Sequence, residues 1–289
     1  MSKLELVSAH RCFGGWQRFY RHASTQIGLP MRFSVYLPPQ AEQGRVPVLF
    51  YLAGLTCTEE TFPIKAGAQR LAAQLGLMLV APDTSPRGAG VAGEDEHWDF
   101  GTGAGFYLDA TQAPWNRHYR MESYVVRELH QLVTTDLPGD ASRAGIFGHS
   151  MGGHGALVLA QRHPGHYRSV SAFAPVAAPM HCPWGHKAFG NYLGPDQQVW
   201  ARHDASALMQ ARCERGEAAP YPDGILIDQG LADAFLAEQL CLDRFEAACA
   251  RAGQPLTVRR HEGYDHGYYF IATFMDDHLR FHAGQLRQP

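Results

Sequence analysis

The stretch "FGHSMGGHGA", residues 147–156, sets Gly148, Gly152, Gly153 and Gly155 around a single serine, Ser150. Glycine inside a helix or strand costs roughly 0.5–1 kcal/mol relative to alanine, so such a cluster needs a reason. The pattern fits G-x-S-x-G, a sharp strand-to-helix turn that lifts a serine hydroxyl clear of a sheet end. The pentamer alone is short enough to arise by chance. Its neighbours decide the matter. "RAGIFG" before it reads as a short strand, and "MGGHGALVLAQRH" after it reads as a helix. Gly148 and Gly152 are expected to keep side chains from colliding across the turn, and Gly153 and Gly155 to let the helix approach the sheet.

The same alternation extends in both directions. "PVLFYL" (Pro47 to Leu52) and "LMLVA" (Leu77 to Ala81) are continuous apolar runs, as expected of strands buried on both faces. A helical segment lies between them, around Ala66 to Leu75. Val125, Leu129, Leu132 and Val133 fall at i, i+4, i+7 and i+8, one face of a helix ending near Asp136. "SVSAFA", "ILID" and "LTVRRH" add three strands. Cys241, Phe245, Ala248 and Cys249 mark another helix face, which places those two cysteines in the core, and Tyr268 to His282 forms a last helix. Near the N-terminus, Trp16 to His22 and Met31 to Leu37 alternate like antiparallel edge strands. The fold class expected is therefore α/β: a mostly parallel central sheet with antiparallel N-terminal strands and helices on both faces. Residues 1–289 read as one domain. Two long stretches, Pro82 to Arg120 and Pro175 to His203, read as irregular loops leaving the carboxyl ends of strands, where open α/β sheets bind ligands.

Composition narrows the function. The chain has 289 residues, 45% hydrophobic and 18% charged, with a net charge of −3. No basic block suggests nucleic acid or an anionic membrane, and no apolar run is long enough for a spanning helix. The first residues lack the apolar core of a secretory leader. Six cysteines without C-x-x-C spacing fit a reduced, cytoplasmic protein. Sixteen histidines raise the question of a metal. His278 and His282 share a helical spacing, but H-E-x-x-H is absent, and a solvated helix face is the expectation there. Neither metal nor cofactor is expected, and a homodimer stays open.

A serine hydroxyl needs a base to take its proton, and the base needs an orienting acid. In α/β-hydrolases these follow in the order Ser, Asp or Glu, His. His266, after the last strand and before the last helix, is the expected base. His261 sits within a strand end, and His278 and His282 lie too far along the final helix. "ILIDQGLADAF" offers Asp228 and Asp233 as the acid. Asp233 is favoured because it lies out in the loop with room to reach His266, whereas Asp228 at the strand end would hold a turn and Asp265 would point elsewhere. The oxyanion that forms on attack needs backbone donors. Met151, just after the serine, supplies one. The Ala53-Gly54 turn in "YLAGLTCTEE" frees the N–H groups of Leu55 and Thr56 for the second.

Nearly the whole chain resembles the S-formylglutathione hydrolases of the esterase D family. The matching stretches are "CFGGWQ", "LAGLTCTEETF", "APDTSPRG", "GEDEHWDFGTGAGFYLDATQAPW", "YRMESYV", "FGHSMGGHGAL", "PWGHKAFGNYLG", "DQGLADAFL" and "YDHGYYFIATFMDDH". The resemblance implies hydrolysis of S-formylglutathione to formate and glutathione without a cofactor. It implies Ser150 as nucleophile, Asp233 as acid, His266 as base, and the Leu55 and Met151 amides as the oxyanion hole. The general short-chain carboxylesterases share this machinery and are the alternative. "RGAGVAGEDEH" (87–97) departs from the family pattern in being richer in Gly and Ala. Cys57 is expected near the acyl pocket. For the glutathione portion, the long loops offer Trp98, Trp184 and Lys187, together with Arg87 and the acidic run Glu94-Asp95-Glu96.

Overall fold

The computed structural model describes residues 4–287. Nine strands form one sheet: β1 (Glu5–Cys12), β2 (Gly15–Ala23), β3 (Pro30–Leu37), β4 (Val46–Leu52), β5 (Met78–Pro82), β6 (Gly139–His149), β7 (Ser169–Phe173), β8 (Ile225–Gly230) and β9 (Leu256–His261). Their spatial order is β1-β2-β3-β5-β4-β6-β7-β8-β9. The pairs from β1 to β5 across β3 are antiparallel, and every pair from β5 onward is parallel. This is the mixed sheet that the apolar runs and edge alternation predict. β5, β7 and β8 are buried along their whole length, as helices on both faces require.

The sequence reading missed one strand. β1 is almost entirely exposed at the sheet edge, so burial imposes no apolar alternation on it and leaves no periodic signal.

The two long stretches behave differently. Residues 83–120 contain only one 3-10 turn, Trp115–Arg117, yet they carry a core of their own. The Phe100 ring packs against Trp115 and Tyr192, with centroids 4.7 Å away in each case. The Tyr192 hydroxyl accepts from Gly101 N and donates to Ala104 O, both at 3.0 Å. Residues 175–203 are not irregular. They hold the helices Pro183–Tyr192 and Gln197–Ala201. Pro183 occupies a first-turn position that suits proline, and Trp184, Ala188, Phe189 and Tyr192 form the buried stripe.

The final helix, Tyr268–Leu286, also corrects an expectation. His278 and His282 are fully buried rather than solvated. They lie on its apolar face with Ile271, Met275 and Leu279. The Ser171 hydroxyl bonds both rings, at 2.7 and 2.8 Å, and Ser169 bonds His282 at 2.6 Å. Among the described residues, no group of three or more His, Cys, Asp or Glu is arranged to hold a metal ion. None of the described helices is long and apolar enough to cross a membrane. Cys249 is core as expected, but Cys241 is only half-buried, at the start of the Leu242–Ala252 helix.

Candidate active site

β6 ends at His149, and the helix Met151–Arg162 begins two residues later. Ser150 between them has φ +57° and ψ −120°, a conformation that costs a non-glycine residue on the order of 1–3 kcal/mol. The surroundings enforce it. Ser150 N donates to Phe173 O at 3.0 Å, and Val176 N donates to Ser150 O at 3.2 Å. A Cβ on Gly152 would sit 1.9 Å from Leu52 O, so no side chain fits where the helix crosses β4. Gly155 serves a different contact from the one expected. A Cβ there would strike the Tyr107 ring at 2.6 Å, so this glycine admits the 83–120 loop rather than the sheet.

Asp233 and His266 come from two loops joined by backbone bonds. Leu231 N donates to His261 O, and Ala232 N to Tyr264 O, each at 2.9 Å. Across this junction His266 Nδ1 lies 2.5 Å from Asp233 Oδ2. The carboxylate is fully buried and also accepts from Phe235 N at 2.8 Å and from Gln229 Nε2 at 3.3 Å. A carboxylate can only accept, so Nδ1 carries the proton and Nε2 is left as the basic nitrogen. Asp265 turns away and accepts from Gly267 N at 2.8 Å.

Asp228 has another occupation. It lies inside β8, fully buried, and does not hold a turn. Arg259 grips both its oxygens, at 2.5 and 2.6 Å, and His278 Nε2 lies 3.2 Å away. Burial opposes its charge, but these hydrogen bonds outweigh burial and hold the carboxyl well below its usual range.

The loop after β4 is fastened from behind. Thr56 N donates to Gly103 O at 2.9 Å, so of the two amides expected to be free, Thr56 is committed. Leu55 N has no partner among the described residues. Met151 N is the first of a helix, a position without an intrahelical acceptor. Three groups that the sequence reading gave no such role hold this loop. Tyr107 donates to Ala53 O at 2.8 Å, Thr84 Oγ1 to Cys57 O at 2.6 Å, and Arg87 Nη2 to Cys57 O at 3.1 Å. Arg87 also makes an ion pair with Asp83 at 2.7 Å. These partners stand 27 or more residues away in sequence, and no local pattern announces them.

Ser150 and His266 face one cavity of about 130 Å³, whose wall also includes Gly54, Leu55, Cys57 and His149. Trp98, Trp184, Phe235 and Tyr268 complete it. Larger cavities exist elsewhere on the molecule, but neither of these two contains Ser150 or the Asp233-bound His266. Trp98 is 56% exposed and meets the buried Trp184 edge-on at 5.7 Å. Phe235 packs against Trp184 at 4.8 Å and His266 at 5.0 Å. Burial holds the Cys57 thiol above its ordinary range, so at neutral pH it is mostly the protonated thiol. The His149 ring lies 4.4 Å from that of His266, and burial keeps it far below the usual imidazole range. A neutral neighbour there does not oppose charge on His266.

Two rim candidates are placed differently from the cavity residues. Lys187 does not line the cavity. Its ammonium lies 2.5 Å from Asp99, tying the Trp98 segment to the helix Pro183–Tyr192. Glu94 is buried and accepts from Ala89 N and Gly90 N, at 3.2 and 2.8 Å. One carboxylate thus shapes the glycine-rich departure at 87–97.

A strained serine at the strand-to-helix turn and an Asp-bound histidine beside it define an esterase of the α/β-hydrolase type. The model of the Putative esterase family matches residues 24–281. Relatives similar in sequence include the S-formylglutathione hydrolases of Rattus norvegicus and of Paracoccus denitrificans (strain Pd 1222), each 53% identical. The first match covers 98% of this chain and 99% of the relative, and the second 98% of both. The solved structure of an S-formylglutathione hydrolase from Agrobacterium tumefaciens superposes with a TM-score of 0.93. It is 47% identical and matched over 98% of this chain and 99% of that one. The chain belongs to the S-formylglutathione hydrolases within the esterase family.

Proposed function

We propose that this chain hydrolyses S-formylglutathione to formate and glutathione through a formyl ester on Ser150. The supporting observation is the Asp233–His266 hydrogen bond of 2.5 Å at a small cavity shared with Ser150. Ser150 Oγ attacks the formyl carbon while His266 Nε2 takes its proton. Asp233 keeps the proton on Nδ1 and stabilises the imidazolium that forms. The Leu55 and Met151 amides face the developing oxyanion, where one such donor is worth roughly 10²–10³-fold in rate. Collapse breaks the C–S bond, and His266 returns its proton to the glutathione sulfur. Water, deprotonated by the same nitrogen, then attacks the formyl ester, and formate leaves as Ser150 regains its proton. The leaving thiol has an ordinary pKa of about 8.5, so the thioester needs no metal to activate it.

The small, mostly apolar cavity suits an acyl group of one carbon. Six free thiols fit the reducing cytoplasm as the place of action. The test is steady-state hydrolysis of S-formylglutathione against p-nitrophenyl acetate and butyrate. A higher kcat/KM for the thioester supports the reading. Preference for the aryl esters would make the protein a general short-chain carboxylesterase.

A further inference from the structure

The leaving group carries two carboxylates and an ammonium, yet the cavity wall has no lysine or arginine, and of its two histidines burial keeps His149 neutral. Those carboxylates must be met at the rim. The rim cations suggested by the sequence are already engaged, Arg87 by Asp83 and Lys187 by Asp99. Lys65 is different. It ends the short helix Thr61–Lys65, is exposed, and has no carboxylate partner among the described residues. Its ammonium stands over the Tyr268 ring, 5.8 Å from the centroid. Tyr268 lines the cavity, and its hydroxyl is fixed by Tyr51 at 3.3 Å. The ammonium is also near enough to Cys57, on the same wall, to act on it electrostatically.

A lysine side chain is flexible and strongly hydrated, and an aromatic face is one of the few surfaces that can hold it without neutralising it. With the thioester carbon at Ser150, the peptide arms of glutathione leave past the wall residues that reach solvent, Tyr268 among them. We propose that the Lys65 ammonium, held over the Tyr268 ring, receives one carboxylate of the glutathione portion and so selects the leaving group. This rests on the S-formylglutathione reading above. The contact exists equally in ground and transition states, so it sets KM and spares kcat.

The experiment compares Lys65→Met, Lys65→Arg and Lys65→Glu on S-formylglutathione and on the uncharged thioester S-formyl-2-mercaptoethanol. An exposed ion pair is modest, so Lys65→Met should raise KM for S-formylglutathione about three- to fivefold. Lys65→Glu should raise it further, and Lys65→Arg should restore it. KM for the uncharged thioester should stay within about twofold in all three. Equal changes on both substrates, or no change on S-formylglutathione, would overturn the role of Lys65. An unmodified enzyme that fails to hydrolyse S-formylglutathione would instead overturn the reading beneath it, so the two failures are distinguishable.

Discussion

Two aspartates five residues apart meet histidines in unlike ways. Asp233, in the loop beyond β8, holds one histidine that faces a cavity and a serine. Asp228, within the strand, is enclosed by Arg259 and His278, with His261 Nε2 at 3.3 Å. Both are buried Asp–His contacts, so the contact alone does not mark a catalytic pair. Position does. Beyond the carboxyl end of the sheet a histidine can present its far nitrogen to a substrate. Inside the sheet the same chemistry only ties β8 to β9 and to the final helix.

The largest effect should come from the serine and histidine themselves. Ser150→Ala or His266→Ala should each lose on the order of 10⁴-fold or more in kcat while the fold persists. The double variant should be hardly slower than either single one, because the two act as a unit. Additive losses in steady-state kinetics would break the reading.

Next is the stability side of the comparison. Asp228→Asn should lower unfolding stability by about 3 kcal/mol, since it breaks a buried ion pair and leaves its partners behind. Urea denaturation measures this, and a loss below about 1 kcal/mol would reduce the cluster to an incidental contact. The low carboxyl pKa adds a signature in pH. Its stabilisation is present above the unfolded value of about 3.9 and is lost as pH falls below it. The difference between the unmodified protein and Asp228→Asn should therefore narrow below about pH 4.

Buried and half-buried histidines set a second acid limit. Burial pushes His154 down to about 3, and His166 and His203 down to about 4. A histidine lowered in the folded state stabilises above its unfolded pKa of about 6.5 and loses that contribution as pH falls toward the folded value. Tm should accordingly decline between about pH 6.5 and pH 4. A flat Tm over that range would contradict these neutral rings.

The smallest effect of a substitution belongs to the cavity wall. A bulky thiol reagent at Cys57 should block activity, whereas Cys57→Ser should stay active and resist the reagent. Full activity after complete labelling of Cys57 would place the thiol outside the substrate's path.

The same contrast explains what could be read from the sequence. The inner parallel strands β4 and β5 are legible because burial on both faces demands unbroken apolar runs. The Ser150 turn is legible because close crossing with β4 demands glycine. Asp233 and His266 are placed by chain order and by their positions beyond strand ends. Other features needed the third dimension. Tyr107, Thr84 and Arg87 act through contacts between loops distant in sequence. His278 and His282 were legible in part: Ile271, Met275 and Leu279 already place them on the apolar stripe of the last helix. Polar residue type misleads there, because the hydroxyls of Ser169 and Ser171 that satisfy them lie on a different element.

One measurement reaches the central claim most directly: kcat on S-formylglutathione for Asp233→Asn beside Asp228→Asn, both confirmed folded at the assay temperature. Asp233→Asn should fall by on the order of 10⁴-fold, as loss of the orienting carboxylate leaves the histidine in the wrong tautomer. Asp228→Asn should remain within roughly tenfold of the unmodified enzyme. The reverse ranking would contradict the account and move the catalytic acid into the strand.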